Sequence, residues 1–137
     1  MSVLVARAAR LLAASAAGGG VAGGLAVAGF ALGAGTPGAA ASGVSAVVTL
    51  AFFAGGQAVQ VAVADRRTTV VFVAGLASYV VRIGGVIALV LVARGVAAWA
   101  GPAVLWTAVA VTAGWLAATI WRYTRMRIPV YDHDEPS

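Results

Sequence analysis

Arg82 carries a full charge at the middle of an apolar run, Thr68 to Ala93, which reads TTVVFVAGLASYVVRIGGVIALVLVA. A guanidinium is a permanent cation with five N–H donors and no acceptor. In the centre of a membrane span an arginine costs about 2.5–3.5 kcal/mol on insertion scales, so such a residue faces protein and marks a functional contact. Along a helix it would lie roughly 22 Å beyond Arg67 and roughly 18 Å before Arg94, too deep for snorkelling to either surface. The four acids, Asp65, Asp132, Asp134 and Glu135, all stand outside the apolar runs. Within one chain Arg82 is therefore left with carbonyls, hydroxyls, amides, aromatic faces or water. A carboxylate would have to come from a partner, in exchange for an unpaired charge on each side.

The remaining chemistry is sparse. There is one His and no Cys, so thiolate metal sites and Cys nucleophiles are excluded. No phosphate-binding loop and no carboxylate pair lies inside a span, and no enzyme or cofactor site is expected. The group Asp132, His133, Asp134 and Glu135 at the end of the chain has metal-ligand chemistry, but adjacent carboxylates in a tail are ordinarily solvated, and no metal site is expected there. All nine basic residues are Arg and, Arg82 apart, they are scattered at the ends of the apolar runs rather than gathered on a face, which argues against nucleic acid as a partner.

The elements that hold Arg82 follow from composition. Of 137 residues, 62% are hydrophobic and 9% charged. A soluble domain carries about a quarter charged residues. The expected class is an all-α membrane protein, residues 1–137 forming one integral membrane domain without a soluble domain. Four transmembrane helices are expected, at about 11–32, 39–64, 68–93 and 96–121, arranged as two antiparallel hairpins with a tail at 122–137. Arg7 and Arg10 ahead of the first run imitate a secretory signal. That run continues for about 22 residues, span length rather than the 7–15 of a signal core.

The first span is dense in glycine. Gly19 with Gly23 and Gly20 with Gly24 give small residues four apart, a smooth groove for close approach of another helix, either a partner's or the chain's own. GAGTPG at 33–38 is expected as a turn in which Thr36 and Pro37 end one helix and start the next. In the second span Ser42, Ser45, Thr49 and Gln60 fall near one face, with Gln57 one step from Gln60. That face should look at protein, with the hydroxyls able to satisfy their own backbone and the glutamines close to the cytoplasmic interface. Trp99, Trp121 and Tyr123 suit membrane interfaces, while Trp106, Trp115, Thr107, Thr112 and Thr119 suit ordinary lipid and helix packing. With four spans, Arg7, Arg10, Arg66, Arg67, Arg122, Arg125 and Arg127 fall on one side and Arg94 alone on the other. The positive-inside rule then predicts both termini on the cytoplasmic side.

The four-span layout, Phe52-Phe53-Ala54-Gly55-Gly56 late in the second span, Ser78-Tyr79 in the third, and Trp121-Arg122 leading into TRMRIPVYD at 124–132 resemble the actinobacterial form of ATP synthase protein I. That resemblance implies a non-catalytic membrane protein that assists assembly or stability of the ATP synthase c-ring. Its partners would be the c subunit and possibly the a subunit, within the lipid bilayer, and a bacterial plasma membrane is the location the resemblance leads one to expect. It also raises magnesium transport as an alternative; apart from the resemblance, an accessory subunit of an unrelated membrane complex is the third reading. Arg82 stands where the resemblance leads one to expect an uncharged polar residue. A magnesium path would need oxygen ligands, ideally carboxylates, and the spans offer hydroxyls, amides and a cation. The residues expected to meet a partner are Arg82, Tyr79, Gln57, Gln60, Gly19, Gly20, Gly23 and Gly24.

Overall fold

A computed structural model describes residues 3–95 and 100–126. They form three α-helices, α1 (Val3–Val63), α2 (Thr68–Gly95) and α3 (Ala100–Arg125). No strand occurs among the described residues. All three helices are long and apolar enough to cross a membrane, as a multi-pass membrane protein requires.

The four expected helices are thus three, because the chain reverses without leaving a loop between the first two. A straight helix of the 61 residues of α1 would be about 92 Å long, three times the thickness of a bilayer core. It is instead broken at Gly35, whose φ of 67° and ψ of −159° are non-helical. Positive φ is open to glycine because there is no Cβ to clash. The break therefore falls one residue before the Thr36-Pro37 pair expected to make it. Pro37 sits at the start of the second arm, where a missing N–H is tolerated.

The arms 3–34 and 36–63 run antiparallel. A Cβ on Gly23 would meet Ala46, one on Gly19 would meet Leu50, and one on Gly38 would touch the Phe30 carbonyl. α3 packs against both arms. Ser15 lies opposite Thr119 and Gly23 opposite Val111, so α3 opposes the first arm, while Ser42 opposite Thr107 and Phe53 against Trp115 set it parallel to the second. α2 opposes the second arm, with Ser78 beside Gly56 and Gly85 beside Phe52. Arg7, Arg10, Arg66, Arg67, Arg122 and Arg125 consequently gather at one end of the bundle, and Arg94 stands at the other.

The expected pairing of the third and fourth spans as a hairpin is not what holds α3. Of its most apolar stretch 33% is buried, against 6% for α2. Small residues explain the difference. A Cβ at Gly114 would fall 2.6 Å from the Ala22 Cβ and 2.6 Å from the Gly18 carbonyl oxygen, so the first arm and α3 touch backbone to backbone. Ser15, Ser42, Ser45 and Thr107 are fully or almost fully buried in these contacts. α2 instead turns Phe72, Val73, Leu76, Val80, Ile83 and Ile87 outward. In a bilayer those side chains meet lipid, which is as apolar as they are, so helix association rests on packing and interhelical hydrogen bonds that α2 largely lacks.

Candidate functional site: a cleft beside Arg82

The hydroxyl face expected on the second arm does look at protein. Ser42 Oγ and Thr107 Oγ1 are 2.6 Å apart, and Ser45 Oγ donates to the Val104 carbonyl at 2.7 Å. On the first arm Ser15 Oγ lies 2.6 Å from Thr119 Oγ1. Thr119 already donates its one proton to the Trp115 carbonyl at 2.8 Å, so Ser15 is the donor of that pair. The serines therefore cross to α3 rather than satisfying their own backbone. Thr107 and Thr119, expected to serve ordinary packing, are their partners.

Thr49, the next residue on that face, is different. It is 7% exposed, and its Oγ1 has no hydrogen-bond partner among the described residues. The opening into which it looks is a cleft of about 490 Å³ between the second arm, α2 and α3. Its walls are Val48, Thr49, Phe52 and Phe53 of α1, Arg82, Gly85, Val86, Leu89 and Val90 of α2, and Leu105, Ala108, Val109, Thr112, Ala113 and Leu116 of α3. Apart from Arg82, Thr49 and Thr112 the lining is apolar. Thr112 donates to the Ala108 carbonyl at 2.8 Å, which leaves it only acceptor capacity.

Arg82 closes one end of this cleft. It is half-buried, its guanidinium carbon stands 5.4 Å from the Phe53 ring centroid, and its Nε is buried without a hydrogen-bond partner. The ring contact supplies a cation–π attraction of about 2 kcal/mol when desolvated, which does not replace a counter-charge. Glycines make the arrangement possible. A Cβ at Gly56 would lie 3.1 Å from Arg82 Nε and 2.8 Å from Ser78 Oγ, which donates to the Gly56 carbonyl at 3.2 Å. A Cβ at Gly85 would overlap the Phe52 ring, so the ring lies directly on the α2 backbone. Asp65, in the turn between α1 and α2, is the only acid among the described residues, outside both helices.

The other residues expected at a partner surface are dispersed. Tyr79 is exposed, on a different side of α2 from Ser78, and Gln57 and Gln60 are half-buried near the end of the second arm, outside the cleft. Gly19 and Gly23 are buried against Leu50, Trp115, Val111 and Ala46, so their groove is used within the chain. Gly20 and Gly24 face open space and leave the neighbouring strip of the first arm uncovered. Phe52, Phe53 and Gly85 line or floor the site although nothing in their spacing assigned them to it; Phe-Phe opposite Gly on the next antiparallel helix is the signal that points to them. Trp99 and the acidic group at 132–135 lie outside the described residues. Comparison of the chain with protein families, with curated proteins and with solved structures gives no match.

Proposed function

We propose that this chain is a non-catalytic membrane protein whose task is to hold another membrane protein during assembly, with Arg82 as the residue that pairs with the partner's intramembrane carboxylate. The observation that carries this reading is the Arg82 guanidinium itself, whose Nε is buried without a hydrogen bond among the described residues and which lies between the Phe53 ring and Gly56 with no acid beside it among those residues. A cation in hydrocarbon without an anion is a standing cost, and a carboxylate on a partner removes two such costs at once. The helix that presents Arg82 is also the least packed of the three, so a partner helix gains most by covering it.

In this reading the bent α1 counts as two crossings, each arm being long enough to span, and the chain crosses four times. The arginine-rich end, with both termini, lies in the cytoplasm of a bacterial plasma membrane. The resemblance of 52–56, 78–79 and 121–132 to ATP synthase protein I makes the c subunit, with its mid-membrane carboxylate, the partner to test first, and assembly of the c-ring the process. Capture of the chain from detergent-solubilised membranes should bring down c subunit. A c subunit whose carboxylate is replaced by the corresponding amide should be captured at most about a tenth as well, the loss of one charge-assisted contact. Equal capture of both forms would remove Arg82 pairing from the mechanism.

A further inference from the structure

The cleft extends well beyond Arg82. Its α2 wall runs from Arg82 to Val90, about 12 Å along the helix, away from the arginine-rich end of the bundle. An apolar cavity of about 150 Å³ admits benzene. The 490 Å³ here is three times that, and so corresponds to about 18 non-hydrogen atoms. A transmembrane helix is 10–12 Å in diameter with its side chains and cannot enter between α2 and the rest of the bundle without displacing α2. One carboxylate side chain of a partner would leave most of the volume unfilled. The space therefore fits a slender molecule better than a protein segment.

Its polar groups say what kind. At one end stands a fixed cation with an unpartnered Nε; one turn from Phe53, on the same face of the second arm, Thr49 offers an unpartnered hydroxyl from a side chain 7% exposed. Both are donors, Thr112 has spent its proton on the Ala108 carbonyl, and the rest of the wall is apolar. A neutral lipid leaves the cation uncompensated. A phospholipid carries two chains and a large polar head, which would have to descend to the depth of mid-α2. A single-chain carboxylate has the smallest anionic head available in a membrane, and the Arg82 guanidinium can donate to both of its oxygens.

We propose that the cleft between the second arm, α2 and α3 binds a long-chain fatty acid, its carboxylate on the Arg82 guanidinium and its chain past Thr49 along Val86, Leu89 and Leu105. A pocket lined by apolar side chains with a few converging polar groups is the ordinary form of a small-ligand site. This goes beyond the assembly reading and does not need it: the fatty acid occupies Arg82 in the free chain and is exchanged for the partner's carboxylate in a complex.

The test is equilibrium binding of radiolabelled palmitate and of methyl palmitate to the purified full chain in maltoside micelles, with no partner protein present. One saturable site is expected, with palmitate bound at least about tenfold tighter than its uncharged ester. Arg82→Gln should bring palmitate down to the ester's affinity, and Arg82→Lys should keep most of the preference. Ala113→Leu fills the cleft and leaves Arg82 in place; it should weaken acid and ester alike, and it decides the matter should Arg82→Gln fail to accumulate. No saturable site, equal binding of acid and ester, or undiminished palmitate binding by Arg82→Gln would overturn the proposal. Because no partner is present, each of these results leaves the capture of c subunit to be judged separately.

Discussion

Replacing Gly114 by Ala probes the closest approach in the bundle. The new Cβ would stand 2.6 Å from the Gly18 carbonyl oxygen and 2.6 Å from the Ala22 Cβ. Neither neighbour is the end of a flexible side chain, so relief requires the first arm and α3 to separate, loosening the 2.6 Å Ser15–Thr119 contact that spans them. Overpacking of this kind costs about 1–3 kcal/mol. Gly→Ala in a helix also gains up to about 1 kcal/mol of propensity, which must be cancelled before the packing cost can be read. Gly24→Ala supplies the control, since a Cβ there meets nothing within 4 Å. Unfolding of the two variants by dodecyl sulfate titration in mixed micelles should differ by about 1–3 kcal/mol, a factor of about 5 to 150 in the folded-to-unfolded ratio, with Gly114→Ala the weaker. Equal midpoints for the two would refute the backbone-to-backbone contact and with it the placement of α3 on the first arm.

The buried Ser42–Thr107 pair should show a favourable coupling of about 0.6 kcal/mol, and at most about 1.7, in a double-mutant cycle of Ser42→Ala and Thr107→Val; zero coupling would mean that each hydroxyl is satisfied by its own helix. A reporter active only outside the cytoplasm, fused after Ser137, should be silent, and activity there would contradict an even number of crossings or their direction. Purified protein in liposomes should pass magnesium no faster than protein-free vesicles, because no carboxylate stands in any apolar run; a saturable protein-dependent flux would reverse the ranking of assembly over transport.

Much of this architecture was legible in the chain because hydrocarbon imposes few choices. Apolar runs of span length must be helices, and a charge inside one must be accounted for, so the helical class and the prominence of Arg82 follow directly. The face carrying Ser42, Ser45 and Thr49 was also readable, since three- and four-residue steps stack on one side of a helix. What the hydroxyls bond to was not. An intrahelical carbonyl and a neighbouring helix are equally available to a serine until the rotation of both helices is fixed. The same limit applies to the glycines. Gly19 and Gly23 face inward and Gly20 and Gly24 outward, although the two pairs are indistinguishable in spacing. The reversal falls inside the expected turn at 33–38 but on Gly35 rather than on Thr36-Pro37, because proline is the louder breaker in a sequence whereas positive φ is what turns the chain. The looseness of α2 could have been suspected from its β-branched and bulky outward residues, set against the Gly and Ser content of α1.

The central claim is that Arg82 is kept for a carboxylate outside the chain, and one comparison bears on it most directly. Arg82→Gln, Arg82→Lys and the parent are expressed to equal abundance in the membrane, and co-purified c subunit is measured for each. A charge-assisted contact is worth roughly 1.5–3 kcal/mol, so Arg82→Gln should retain about a tenth or less of the parent's c subunit while its own abundance stays unchanged, and Arg82→Lys should retain most of it. Capture by Arg82→Gln equal to that of the parent would contradict pairing of Arg82 with the carboxylate of a partner protein.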